Sequence, residues 1–289
     1  IAKQKFLSKI KQQLAVKGLS EEVINQNIIN LRDQDMATWK FNYTDSKFNI
    51  NIEPNKEDIN SVEIPVNDLF KYIDETYLKG EDLEKYNEYI KKRSRKAVAL
   101  TFDDGPNPNT TPVALELLKK YNAKATFFMV GQAVAGNENI IKQVVAEGHQ
   151  IGNHSWSHPL LTKISLEQAK SQINDTTEAL KKASGQDVHI MRPPYGGINS
   201  TIQAAVDQSF ILWDIDTLDW KNRNTASIMK EVRKTQPGSI ILMHDVHQTS
   251  IDALPTVLQY LTEQGFELVT VDELMGDQLE LHQKYTNRE

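Results

Sequence analysis

The sequence contains no cysteine. That removes disulfides, thiolate catalysis and cysteine-type zinc sites together, so any metal must be held by His, Asp or Glu. The absence fits a reducing cytosol, and it fits equally an exported protein that manages without disulfides. No apolar run approaches the roughly 20 residues of a transmembrane helix, and no signal-peptide pattern is present. Excess positive charge is missing as well. The formal net charge is -6, which gives nucleic acid no general attraction, and no nucleic-acid partner is expected. There are no internal repeats and no low-complexity segments. The chain starts at Ile1 without an initiator Met, in a Lys-rich helical pattern. It is expected to be a fragment from which a signal or anchor could have been cut away.

What is present suffices for a large core. Of 289 residues, 39% are hydrophobic, which accommodates two ordinary domains or one barrel plus a module. Residues 1–31 read as helical and amphipathic through Phe6, Ile10, Leu14, Val23, Ile24, Ile28 and Leu31. Gly18 marks a stop and Ser20 the next N-cap. Over 38–53 the period changes to two: Trp39, Phe41, Tyr43, Phe48, Ile50 and Ile52 alternate around Asp45-Ser46, a hairpin pattern. Val62, Ile64 and Val66 give a further strand, and 68–77 and 82–90 read as helices before a basic connector, Lys91 to Lys96. Residues 1–93 are therefore expected to form a small α+β domain, and 94–289 a second domain with a short C-terminal tail.

From Ala97 the grammar changes. Short apolar runs at 97–102, 125–130, 188–191, 210–215, 239–243 and 266–270 are expected strands. Helical stretches near 110–121, 138–147, 165–183, 199–208, 225–235 and 251–264 separate them. That alternation implies an α/β fold with a parallel sheet, open or closed into a barrel. Such folds place active sites at the carboxyl ends of their strands, and five strand ends here carry polar signatures.

The first is Thr101-Phe102-Asp103-Asp104-Gly105-Pro106. Neighbouring carboxylates on extended backbone point in opposite directions, so one can bind a metal while the other moves a proton; a surface turn would use the same residues. The second, His154-Ser155-Trp156-Ser157-His158-Pro159, spaces two imidazoles four apart. One helical turn would put them on one face, and with a carboxylate they form a His/His/Asp set. The third, Arg192-Pro193-Pro194-Tyr195-Gly196-Gly197, is a rigid loop with an arginine able to pair with a carboxylate. The fourth, Trp213 to Trp220, sets three acids beside two tryptophans, with Asp214 read as a solvated acid. The fifth, Ile240 to Asp245, ends a buried strand in His244, a group able to act as an acid near neutral pH. His247 nearby is read as structural.

Together these motifs resemble the polysaccharide deacetylase family, also called NodB-homology or carbohydrate esterase 4. The resemblance covers roughly residues 95–275, with TFDDGP, HSWSHP, RPPYG, DTLDW and ILMHD in the family's order. The strand Phe210–Leu212 lacks the Gly-Tyr step often found there. Residues 1–93 more faintly resemble the module that precedes this domain in Gram-positive cell-wall deacetylases. The resemblance implies a distorted (β/α) barrel catalytic domain behind a small α+β domain. It implies that Asp104, His154 and His158 hold a divalent metal, zinc with cobalt or nickel as alternatives. Asp103 would be the general base, paired with Arg192. The Tyr195 backbone N–H would stabilise the oxyanion. His244 would protonate the leaving amine, supported by Asp219, and Leu242 and Trp220 would line the acetyl-methyl pocket. The implied reaction removes N-acetyl groups from N-acetylglucosamine residues of a glycan polymer, peptidoglycan first, releasing acetate. Alternatives are a chitooligosaccharide or poly-N-acetylglucosamine deacetylase, an acetylxylan esterase, or a non-catalytic wall-binding protein. No protein partner is inferred, and the implied location is extracellular or at the cell surface, anchored through a missing segment.

Overall fold

The structure, a computed structural model, describes residues 2–35, 38–44, 46–52, 61–70, 73 and 75–288. The chain divides into two compact units, Ile1–Ser94 and Arg95–Glu289.

The first unit opens with α1 (Ala2–Val16) and α2 (Glu21–Asp33). The Ser20 side chain accepts from the Val23 N–H, so the sequence-read N-cap works as one. Three antiparallel strands follow: β1 (Phe41–Thr44), β2 (Lys47–Asn51) and β3 (Ser61–Pro65). Alternation buries Ile50, Val62 and Ile64 against Ile10, Leu14, Ile24 and Leu31. Asp45 of the expected turn lies outside the described residues. So do Lys71, Tyr72 and Asp74 of the expected 68–77 helix, which is represented by short 3-10 turns at Val66–Leu69 and Glu75–Tyr77. The expected connector is largely helical: α3 (Glu81–Ser94) carries Lys91, Lys92 and Arg93 in its last turn. Cations there complement the carbonyl end of the helix dipole.

The second unit alternates strand and helix. Its strands are β4 (Ala97–Asp103), β5 (Ala125–Met129), β6 (Gln150–Asn153), β7 (Ile190–Met191), β8 (Ser209–Ile211), β9 (Ile215–Asp216), β10 (Ile240–His244), β11 (Glu267–Leu268) and β12 (Lys284–Tyr285). Its helices are α4 (Thr111–Lys120), α5 (Glu138–Ala146), α6 (Leu166–Ser184), α7 (Ser200–Ala205), α8 (Asp219–Asn222), α9 (Thr225–Val232), α10 (Gln248–Glu263) and α11 (Val271–Met275). The strand path runs β12-β8-β7-β6-β5-β4-β10-β9, with β11 beside β4, as a curled parallel half-barrel. Every residue of β4 and β5 is buried, as expected of strands covered on both faces.

Register is what builds the site. Asp103 pairs with His244 on one side and Phe128 on the other. Met129 pairs with Asn153, and Asn153 with Met191. The strands therefore end level, and the residues that follow each of them emerge at one rim.

Three strand assignments of the second unit differ from the sequence expectation, and α8 and α11 are added to it. The expected strand 210–215 is two strands at distant places in the sheet. Asp214 divides them: its carboxylate accepts from Ser239 Oγ and the Ile240 N–H, which diverts the chain to the start of β10. Residues 150–153, too short and mixed to stand out, form β6. The C-terminal tail returns as β12, parallel to β8. Tyr285 Oη fixes it by donating to Gln278 O at 2.5 Å.

Candidate active site

β4 ends at Asp103, and Asp104 turns out of the strand at φ 75. Left-handed backbone is uncommon for a residue with a side chain. The two adjacent carboxylates meet different partners: Asp103 meets Arg192, and Asp104 meets the two histidines. Gly105 follows, and a Cβ there would lie 2.7 Å from Asp245 Oδ1. Asp245 is fully buried, burial pushes its carboxyl up to about 7, and Thr111 Oγ1 donates to it. The turn thus rests on a carboxyl group that leaves no room for a side chain at position 105.

The histidines arrive after β6. Asn153 is buried and reaches two ways: Nδ2 donates to Ile173 O and Thr177 Oγ1 on α6, and Oδ1 accepts from the Ser155 N–H at 2.7 Å. The loop then passes through left-handed residues at Ser155 (φ 63) and His158 (φ 59). This corrects the helical-turn reading of the His154–His158 spacing. The two rings meet, 4.9 Å between centroids, through a capped loop.

Asp104, His154 and His158 each offer one ligand atom, all within 4.8 Å of one another. Asp104 Oδ1 lies 3.5 Å from both His154 Nε2 and His158 Nε2. His154 Nδ1 is 2.7 Å from Arg192 O. A carbonyl can only accept, so Nδ1 carries a proton, which leaves Nε2 as the ring nitrogen turned toward Asp104 and available to a metal. Burial lowers His158, and the neighbouring His154 lowers it further. Two imidazoles and one carboxyl group are a donor set that suits a divalent cation.

Arg192 is fully buried. Its Nη1 donates to Asp103 Oδ1 at 2.8 Å and Thr101 Oγ1 at 2.7 Å, Nε to Ile211 O, and Nη2 to Leu212 O. Burial pulls the guanidinium down from its usual range and Asp103 opposes this. Removing the partner of such a pair costs about 3–5 kcal/mol, so Asp103 and Arg192 are held as a unit. The other carboxylate oxygen, Asp103 Oδ2, is 3.6 Å from His154 Nε2. Asp103 therefore presents one oxygen to the arginine and one to His154 of the candidate metal set.

On the other side, His244 Nδ1 meets Asp219 Oδ1 at 2.8 Å. Burial alone would lower His244. The hydrogen bond and charge of Asp219, with Asp103 and Asp104 behind it, together outweigh burial and raise it to about 9. Asp219 is itself buried, which favours its neutral form, but its bonds to His244 and Ser250 win and lower it. His247 packs its ring 5.8 Å from His244, and burial lowers it.

Of the residues singled out for the acetyl group, Leu242 shares the His244 face of β10 by two-residue alternation and is buried. Trp220 follows Asp219 and is 45% exposed. Tyr195 sits at φ 58, is 70% exposed, and sets its ring edge-on to His158 at 4.7 Å. The sequence reading gave no role to Thr101, Asn153, Asp245 or Ser250. The only signal for Thr101 and Asp245 was their place inside the quoted motifs, and for Asn153 its place just before His154.

Fold and site define a parallel α/β protein with a candidate Asp/His/His metal set at its strand ends. Residues 90–209 match the family model described as polysaccharide deacetylase, and residues 1–87 match the peptidoglycan GlcNAc deacetylase N-terminal domain. A peptidoglycan-N-acetylglucosamine deacetylase, PgdA of Listeria monocytogenes, is 36% identical over 283 residues, covering 94% of this chain and 60% of the relative. This chain thus spans 60% of that protein's length. A peptidoglycan-N-acetylglucosamine deacetylase of Bacillus cereus is 39% identical over 201 residues, covering 66% of this chain and 73% of the relative. PdaC of Bacillus subtilis, a peptidoglycan-N-acetylmuramic acid deacetylase, is 46% identical over 182 residues, covering 63% of this chain and 39% of the relative. Its solved structure matches with a TM-score of 0.62 at 45% identity, covering 64% of this chain and 93% of that one. The chain belongs to the polysaccharide deacetylase family, whose members are metal-dependent.

Proposed function

We propose that this chain hydrolyses N-acetyl groups from N-acetylglucosamine residues of peptidoglycan, releasing acetate, with zinc at Asp104, His154 and His158. The observation that carries the reading is the convergence of that set with a buried Asp103–Arg192 pair and a His244–Asp219 pair at one rim. Bound there, a divalent cation would act as a Lewis acid toward the acetyl group and the attacking water.

Asp103 Oδ2 takes a proton from that water, and Arg192, bonded to Oδ1, keeps the carboxylate aimed. The backbone N–H of Tyr195 donates to the oxyanion as the carbonyl carbon becomes tetrahedral. His244 Nε2 gives its proton to the sugar nitrogen as the C–N bond breaks, leaving acetate and a free amine. Asp219 holds Nδ1 and so keeps Nε2 directed outward. Leu242 and Trp220 enclose the acetyl methyl. The same reading sets the enzyme at the cell surface, where this polymer lies. Among the described residues, no helix is long and apolar enough to cross a membrane.

N-acetylglucosamine is preferred over N-acetylmuramic acid because the relative named for the former matches across both units of this chain. The match to the relative named for the latter covers 63% of it. The test is acetate release from peptidoglycan, chitin oligomers and acetylxylan, with and without chelator, with mass spectrometry of the muropeptides. Loss of acetyl from glucosamine residues, abolished by chelator, is expected. Acetate from acetylxylan alone would overturn the substrate, and a metal-loaded protein releasing none from any glycan would point to a wall-binding role.

A further inference from the structure

Asp219 holds more than the histidine it faces, and one of its partners lies outside all five motifs. Oδ1 accepts from His244 Nδ1 at 2.8 Å and from the Trp220 N–H at 2.9 Å. Oδ2 accepts from the His244 N–H at 2.8 Å and from Ser250 Oγ at 2.6 Å. An ionised carboxylate has about four lone-pair sites, and here all are taken. Three of the donors belong to His244 itself or to the residue beside Asp219. The fourth comes from α10.

Ser250 and Asp219 are both fully buried. The Ser250 N–H donates to His247 O, so its side chain stands on the first turn of α10. That helix is fixed by Ile251, Leu254, Val257 and Leu258 in the main core of the second unit. A short O–H···O⁻ bond from so fixed a donor is among the stronger kinds. Without it Oδ2 would keep only the His244 N–H, and the carboxylate could rotate about its remaining bonds. The imidazole that it orients would then lose a fixed direction.

We infer that Ser250 is a positioning residue for His244: its hydroxyl locks the Asp219 carboxylate, which in turn aims the imidazole at the leaving nitrogen. The role of His244 in that statement rests on the deacetylase reading; the Ser250–Asp219–His244 arrangement does not.

The test uses the whole zinc-loaded chain as wild type, Ser250→Ala and Ser250→Thr. Two things are measured: kcat and KM for acetate release, and the low-field proton resonance of His244 Nδ1–H, which needs no substrate. In Ser250→Ala, kcat should fall roughly tenfold, as loss of one hydrogen bond to a charged group implies. KM should stay within about twofold, since ground-state binding is untouched. The Nδ1–H resonance should move upfield or broaden, and Ser250→Thr should restore both it and kcat. An unmoved resonance in Ser250→Ala overturns the inference whatever the kinetics. So does a kcat loss that Ser250→Thr fails to restore while it folds with the wild-type melting temperature. If the wild type releases no acetate yet the resonance moves in Ser250→Ala, the deacetylase reading fails and the locking contact stands.

Discussion

At the ends of β4 and β6 the working side chains leave their strands on unusual backbone, with Asp104, Ser155 and His158 all at positive φ. At the end of β10, His244 is still the last residue of a regular strand and is aimed by hydrogen bonds. The first arrangement spends local conformational energy, of order 1–3 kcal/mol per strained residue, to pack three ligand atoms closely. The second uses a single buried carboxylate with four donors. The difference matches the proposed tasks. A metal set needs fixed atom positions, whereas an acid needs one direction and a proton held until it is wanted. Asp103, the proposed base, lies between them, tied to Arg192 through one oxygen and facing His154 with the other.

If the metal side depends on all three ligands, His154→Ala should lose the metal and lower acetate release by about 1,000-fold or more, leaving little beyond background hydrolysis. Elemental analysis beside the assay checks both. Retained metal with lost activity would move His154 out of the ligand set.

The acid side should respond differently. Asp219→Asn should keep the metal, and kcat should fall by about 100-fold, the lower range for losing acid–base assistance. The pH dependence has a definite sign. Asp219 is the main group that raises His244 to about 9, while burial pulls the other way. Removing its charge must shift the alkaline limb of the rate profile to lower pH. A bound cation shifts the wild-type limb the same way, to below the value of about 9. The linked stability runs likewise. The folded value lies above the ordinary 6.5, so the His244 contribution is complete below pH 6.5 and lost as pH rises through about 9. Thermal melts across that window should flatten in Asp219→Asn, and an unmoved alkaline limb would remove His244 from the acid role.

The smallest effect is expected at Tyr195. Glycine adopts φ 58 freely, but it also gains freedom in the unfolded chain. These oppose each other, so Tyr195→Gly should change the melting temperature by no more than about 4 °C. If only the backbone N–H serves the reaction, kcat should stay within roughly threefold while KM rises, because an exposed contact surface is lost. A collapse of kcat would show that the ring itself takes part.

The sequence made the strand ends legible because a parallel sheet must gather them, and level register did so for Asp103, His154, Arg192 and His244. It did not show how the two histidines meet. A spacing of four suits a helical turn, and equally a loop whose path is fixed by Asn153 reaching α6, a contact between residues 20 and 24 apart. Ser250 was invisible for a related reason. The helix was expected from 251, and a lone serine at its start reads as a cap until Asp219 is seen beneath it. β12 escaped because its two residues carry no apolar run, and their pairing depends on β8, over 70 residues earlier.

The most direct test of the account is to measure metal content and acetate release on the same samples of wild type and Asp103→Asn. The account predicts one zinc per chain in both, since Asp104, His154 and His158 are intact, with acetate release from peptidoglycan falling about 1,000-fold in the variant. Wild-type acetate release from metal-loaded Asp103→Asn would contradict it, because the buried carboxylate between Arg192 and the metal set would then have no part in moving the proton.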